Sequence, residues 1–236
     1  MGHQGHDRAR APLAAPSFDD IAGRYERWYS TAAGARVASI EASMLQQQLA
    51  RLGPVPSGLE TGLEVGCGTG HFTRRLAGWG LDMVGLDTSL AMLSQAQQRQ
   101  DAPAVAYVLG DGQALPFPDR TFDVVALITA LEFMSDPPLA LHEAARVARR
   151  GMLLGALNRH SLLQWQRRRA GRLRPSIYDR GRYFSVSELV GMVRAAAGQR
   201  LRGVSWRTGL LLGNWPPFGT CLPWGGFIAL SATLTE

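Results

Sequence analysis

Leu63-Glu64-Val65-Gly66-Cys67-Gly68-Thr69-Gly70-His71-Phe72 decides how the chain is read. A short apolar strand, residues 63–65, breaks into a turn with glycine at alternate positions and then opens a helix. Glycine admits positive φ and carries no Cβ, so a ligand can come close to the backbone there. A helix start behind such a turn adds backbone amides and the positive end of the helix dipole. The stretch therefore reads as a nucleotide-type binding loop. The dinucleotide fingerprint is Gly-x-Gly-x-x-Gly. Here the spacing is Gly66-x-Gly68-x-Gly70, with His71 where the third glycine would stand, so the phosphate-cradling form fits imperfectly. Glu64, at the strand-to-loop junction, would repel a pyrophosphate and suits a ligand with a positive group.

Outward from this loop the periodicity alternates between strand and helix. Strands are expected at 63–65, 81–86, 105–109, 122–129 and 151–157, with helices at 70–78, 89–100 and 138–148 between them. The 122–129 run is almost wholly apolar, as in a strand buried on both faces. Strands alternating with helices predict a parallel, doubly wound α/β sheet with ligand loops at the strand carboxyl ends. A helix at 185–197, opened by Ser-Val-Ser-Glu in the manner of a capping box, and strands at 201–207 and 227–234 close the pattern. Before the loop, Ser17 is a plausible N-cap with Asp19 and Asp20 in the first turn. Phe18, Ile21, Ala22, Tyr25, Trp28 and Tyr29 then recur at helical spacing, an aromatic face that needs something to cover. Gly34 is expected to interrupt before a second helix that runs from Val37 to Leu52. Residues 1–16 read as a disordered tail.

Two more acids lie at the same edge of the sheet. Asp87 ends the second strand, where an acid can pair both hydroxyls of a ribose. Asp111 follows the third strand, placed to accept from an exocyclic amine. The ligand suggested is a ribose, an amino-bearing base and a positive charge, without phosphate. Three ordered stretches carry a resemblance: 63–70, then Gly85-Leu86-Asp87-Thr88-Ser89, then Gly110-Asp111-Gly112-Gln113-Ala114-Leu115-Pro116-Phe117 and on to Val125. Together they resemble the class I S-adenosylmethionine-dependent methyltransferases, closest to the branch with the ubiquinone/menaquinone C-methyltransferases. The resemblance covers about 22–156. It implies a Rossmann-like fold, with a mostly parallel seven-stranded sheet, helices on both faces and an N-terminal helical lid. It also implies one methyltransferase domain over 17–236, with lid helices at 17–56, a cofactor core at 57–157, an arginine-rich insertion at 158–184 and a C-terminal part at 185–236.

The cofactor so implied is S-adenosyl-L-methionine. Gly66, Cys67, Gly68, Thr69 and Gly70 would line its methionine end, with Glu64 toward its ammonium and Tyr25 of the lid closing over its carboxylate. Asp87 would bind the ribose hydroxyls. Asp111 and the Gly112 amide would read the adenine edge, and Thr88, Met92 and Gln113 would also contact the cofactor. Thr129 to Glu132, Leu131 among them, would flank the donor methyl. Relatives often carry histidine after strand four, where this chain has Ala130-Leu131-Glu132-Phe133. Glu132 is thus a candidate base, or a structural acid bonded to backbone. Asp136 reads as an N-cap ahead of proline, and His142 as lying on the outer face of its helix.

Composition bounds the rest. The 236 residues carry 25 basic and 19 acidic side chains, net +6, and every basic one is arginine. Without lysine a Schiff-base mechanism is excluded. Two cysteines supply neither a disulfide framework nor zinc spacing, so no metal is expected and a cytoplasmic setting fits. Residues 1–8 do not read as a signal peptide, and no apolar run is long enough to span a membrane. Arginines crowd 159–182. They suit an anionic acceptor, an RNA or an acidic surface, or are merely solvated. The apolar stretch 210–224 suits an apolar acceptor pocket, a homodimer contact or a core hairpin. The function expected is methyl transfer to a small, apolar or anionic molecule. The alternatives are an RNA methyltransferase, a nicotinamide-dependent oxidoreductase and a non-catalytic cofactor sensor.

Overall fold

The computed structural model describes residues 17–53, 60–99, 105–161, 180–209 and 220–235. The expectations for 1–16, for most of the arginine-rich segment (162–179) and for 210–219 lie outside the described residues. The chain order is α1 (Phe18–Tyr29), α2 (Ala32–Leu49), β1 (Glu60–Val65), α3 (His71–Gly78), β2 (Leu81–Asp87), α4 (Leu90–Gln97), β3 (Ala106–Leu109), β4 (Phe122–Ile128), α5 (Pro137–Val147), β5 (Ala148–Leu157), α6 (Val186–Ala197), β6 (Leu201–Gly209) and β7 (Phe227–Leu234). The strands form one seven-stranded sheet in the order β3-β2-β1-β4-β5-β7-β6. β1 to β5 pair in parallel, and β7 runs antiparallel to both β5 and β6. Strand order reverses between β1 and β4, which opens a crevice at their carboxyl ends.

Every residue of β4 is buried, because apolar layers cover both faces of the sheet. On one face the buried side chains of the sheet meet Leu141, Ala144 and Val147 of α5 and Leu189 and Val193 of α6. On the other they meet Met44 and Leu45 of α2 and Phe72 and Leu76 of α3. The capping box predicted at Ser185 is formed with Glu188, and Asp136 caps α5 by accepting from the Leu139 amide. Arg146 braces the loop before β4, donating to the carbonyls of Phe117 (2.8 Å) and Leu115 (3.1 Å).

Two local expectations are corrected. Gly34 does not interrupt the second helix but lies in its first turn; the break falls at Ser30, and Thr31 caps α2. A Cβ on Gly34 would stand 1.9 Å from the Trp28 carbonyl oxygen, so glycine is there for close packing of α1 against α2. β5 begins three residues earlier than expected, at Ala148, because α5 hands over to it directly.

Candidate functional site

A cavity of about 330 Å³ opens at the switch between β1 and β4. Its wall begins with the glycine turn. Gly66, Gly68 and Gly70 all take positive φ (73°, 54° and 72°), which explains glycine at alternate positions. A Cβ on Gly66 would come within 2.6 Å of the Ala130 Cβ. On Gly68 it would meet nothing within 4 Å, since that residue faces the cavity. On Gly70 it would strike the Tyr107 hydroxyl at 2.3 Å. Gly70 serves packing rather than the cavity wall.

The amides of this turn form no anion cradle, in keeping with the imperfect fit of the phosphate-binding spacing. Those of Gly66 and Cys67 donate to the Leu86 carbonyl at 2.7 and 3.0 Å, and that of Gly70 to the Cys67 carbonyl at 2.9 Å. The Gly68 amide donates to Asp87 Oδ2 at 2.7 Å. Four donors that a phosphate would need are already used within the protein.

The charges lining the cavity point the same way. Glu64, Asp87 and Asp111 all line it. Glu64 is buried and accepts from the Thr73 hydroxyl. Its burial, with the charge of Asp87 adding to it, pushes the carboxyl up to about 8. A cation beside this group would stabilise its ionised form and bring the value down again. Asp87 is also raised, mainly by burial. Its Oδ1 accepts from the Ser89 amide at 2.9 Å while Oδ2 holds Gly68. The Thr88 amide also bonds to this carboxylate; a carboxylate has about four acceptor positions, so it keeps capacity for a ribose hydroxyl. Asp111 is exposed and accepts from the Gln113 amide and side chain at 2.9 and 3.2 Å. Gln113 in turn accepts from the Ser135 hydroxyl and the Asp136 amide, tying the loop after β3 to the one after β4. Among the described residues the basic one on the wall is His71, which burial holds below its ordinary value. Acids without a facing guanidinium fit a phosphate-free, positively charged adenosyl group.

The other predicted wall residues, Tyr25, Gly66, Cys67, Thr69, Thr88, Met92, Gly112 and Thr129, also line the cavity. Thr129 turns sharply at φ 50° as β4 ends. Gly70, Leu131 and Glu132 do not line it. Leu131 is buried in the core beside α5. Glu132 is 2% exposed, and its Oε1 accepts from the Leu157 amide at 2.6 Å. It takes up the donor that β5 presents beyond the end of β4. The residue expected as a base therefore sits as a backbone-bonded structural acid, with its second oxygen buried and unpartnered and burial raising it to about 7. His142 is exposed on α5, as expected. Cys67 and Cys221 are both free thiols, and the Cys67 thiol is pushed well up by burial.

Residues that the sequence reading did not place in the site complete the wall: Phe18, Tyr29, His71, Phe133 and Met134 among them. Phe18 and Phe133 meet edge to face at 4.9 Å, and Tyr29 stacks on His71 at 3.7 Å. For Phe18 and Tyr29 the signal was present, because the aromatic face of the first helix needed a surface to cover.

Residues 63–154 match the family model described as a methyltransferase domain. That match makes residues 63–154 a methyltransferase domain. It is 35% identical over 148 residues to a demethylmenaquinone methyltransferase of Renibacterium salmoninarum, covering 60% of this chain and 56% of that protein. It is 36% identical over 107 residues to a malonyl-[acyl-carrier protein] O-methyltransferase of Yersinia pestis, covering 45% of this chain and 39% of that one. The chain thus spans about half the length of the curated relatives it matches. Among solved structures, a methyltransferase of Thermotoga maritima described as a possible histamine N-methyltransferase superposes with a TM-score of 0.69 at 23% identity, covering 92% of this chain and 97% of that one. The magnesium protoporphyrin IX methyltransferase of Synechocystis with bound S-adenosylhomocysteine gives 0.64 at 18%, covering 91% and 94%. At these identities the likeness is one of fold. S-adenosyl-L-methionine is the cofactor of this family, and the methyltransferase cavity described above has the chemistry to receive it. Among the described residues no helix is long and apolar enough to cross a membrane, and no group of three or more acidic, histidine or cysteine side chains could hold a metal ion.

Proposed function

We propose that the protein transfers the methyl group of S-adenosyl-L-methionine to a small-molecule acceptor. The observation that carries this is Asp87, a buried carboxylate with acceptor capacity left on the cavity wall, beside a glycine turn in which the amides of Gly66, Cys67, Gly68 and Gly70 are already bonded. When bound, the cofactor supplies an electrophilic methyl on a sulfonium. The protein's part is to bind, orient and exclude water. Asp87 would hold the ribose hydroxyls, with Thr88 and Met92 beside it. Glu64, with the Gly66–Gly68 backbone, would balance the positive methionine end, which Tyr25 covers. Gly112 and Gln113 would receive the adenine. Thr129, Ala130 and Phe133 form the wall that an acceptor would approach. Glu132 takes no part in this scheme, since it is buried off the cavity wall with one oxygen bonded to backbone, and alignment does the catalytic work.

The relatives differ in what they methylate, a quinone precursor in one case and an acyl-carrier-bound malonyl group in the other. The common element is the cofactor half, so the acceptor class is chosen by segments outside the match. Nothing in the comparisons favours an RNA acceptor. The same reading takes 17–236 as one methyltransferase unit in the cytoplasm. Self-association would run through the apolar 210–224 stretch, whose Leu222 and Trp224 are 47% and 57% exposed; light scattering tests that point. The enzymatic proposal is tested by following S-adenosylhomocysteine release with a demethylated quinone and with a malonyl thioester. Release that depends on either acceptor supports it. Tight cofactor binding without turnover on any small molecule supplied would make the protein a sensor instead.

A further inference from the structure

α1 lies against the cavity and is fastened to the cofactor loops at several points. Asp19 accepts from the Ser89 hydroxyl at 2.5 Å, just past Asp87. Between that bond and the Tyr29–His71 stack stands Glu26, a residue that does not line the cavity. Its Oε2 accepts from the Thr69 hydroxyl at 2.5 Å, and its Oε1 from Arg74 Nη2 at 2.9 Å. Nη1 of the same guanidinium donates to the Thr69 carbonyl at 2.7 Å. Glu26, Thr69 and Arg74 therefore close a ring that joins α1, the glycine turn and α3. The Glu26 and Arg74 side chains are each only 14% exposed. Two further groups face the carboxylate, His71 Nδ1 at 3.8 Å and Arg99 Nη2 at 3.6 Å.

Thr69 needs such a hold. It stands between Gly68 and Gly70, both at positive φ, in the most permissive backbone of the cavity wall. The ring restrains it at its hydroxyl and its carbonyl together. Charge-assisted bonds of this kind are about twice as strong as neutral ones, and partial burial spares them from screening.

We infer that Glu26 is a positioning residue for cofactor binding. It fastens α1 over the cavity and, through Thr69 and Arg74, sets the shape of the turn beneath. This rests on the reading of the cavity as the S-adenosylmethionine site. It adds a direct coupling: the group that closes the helix is the group that orders the turn, so release of the ligand and loosening of α1 are one event.

The test uses the full chain and its Glu26→Ala and Glu26→Gln variants. The glutamine keeps an oxygen for Thr69 but loses the charge toward Arg74. Hydrogen exchange over residues 18–29 is read first, without ligand. We expect faster exchange in Glu26→Ala and an intermediate rate in Glu26→Gln, with the helix Val186–Ala197 unchanged as an internal control. S-adenosylhomocysteine is then added. The expected result is a 10- to 100-fold weaker Kd for Glu26→Ala, carried by faster dissociation. Arg74→Met should weaken binding too, with the double variant no worse than the worse single one. Unchanged exchange over 18–29 would overturn the inference, as would additive effects of Glu26→Ala and Arg74→Met. Should Glu26→Ala fail to fold, the glutamine variant and Arg74→Met decide the same questions. Failure of the wild-type protein to bind S-adenosylhomocysteine would strike the proposed function instead, while the ligand-free exchange would still report on the fastening of α1.

Discussion

Replacing Asp87 with alanine probes the ribose assignment directly. Its carboxylate accepts from the Gly68 amide at 2.7 Å and the Ser89 amide at 2.9 Å, with the Thr88 amide bonded to it as well. A carboxylate has about four acceptor positions, so the variant removes the charged acceptor that a ribose hydroxyl would meet. Hydrogen bonds to charged groups contribute about 1.5–3 kcal/mol, and two within one diol are not additive. A total loss of about 1.5–3 kcal/mol corresponds to roughly a 10- to 150-fold weaker Kd. The variant also leaves the Gly68 and Ser89 amides without their acceptor, so part of any loss could come from a relaxed turn. A ligand-side change separates the two. Calorimetry with S-adenosylhomocysteine and with its 2′-deoxy analogue, on wild type and Asp87→Ala, forms a double-change cycle. If Asp87 holds the ribose, the wild type discriminates the two ligands and the variant does so far less. Equal discrimination by both proteins, or unchanged affinity in the variant, would refute the assignment.

The buried acids set a pH dependence of stability. Burial raises Glu41 and Glu64 to about 8 and Glu132 to about 7, against an ordinary 4.5. The folded protein keeps these protons in a range where the unfolded chain has released them. Their stabilisation is complete below about pH 4.5 and is lost as pH rises toward 8, each group contributing a slope of up to about 1.4 kcal/mol per pH unit. His71, held below its ordinary 6.5, acts in the opposite sense only on the acid side of that value. Melting temperature should therefore fall between pH 6.5 and 8, and Glu41→Gln should flatten the fall; a midpoint that rises over this range contradicts the burial of these groups. Among the glycines, Gly66→Ala combines a positive φ with a contact at 2.6 Å. Gly68→Ala meets only the strain of its φ, about 1–2 kcal/mol, and narrows the cavity. Thermal melts should rank Gly66→Ala as the less stable of the two, with Gly68→Ala losing S-adenosylhomocysteine affinity out of proportion to its stability. The reverse order of melting would mean that Gly68 does not face the cavity.

Much of this was legible in the sequence because the information is local. Glycine at alternate positions and an acid at the end of each of two successive strands are features of short segments, and the strand-helix alternation implied the parallel sheet that follows. What was not legible depends on partners far away in sequence. Gly34 looks like a helix breaker until the Trp28 carbonyl is seen against it. Glu132 looks catalytic until the Leu157 amide, left over where β5 outruns β4, is seen to claim it. The amides of the glycine turn look free until the Leu86 carbonyl takes two of them. Glu26 carries no motif at all. Its role comes from Thr69 and Arg74, 43 and 48 residues away.

The central claim is that the loop at 63–72 serves a phosphate-free, positively charged adenosyl ligand. Calorimetric titration of the wild-type protein with S-adenosylhomocysteine and, separately, with NAD tests it most directly. The account predicts saturable one-to-one binding of S-adenosylhomocysteine and no heat from NAD. Saturable binding of NAD with none of S-adenosylhomocysteine would contradict it.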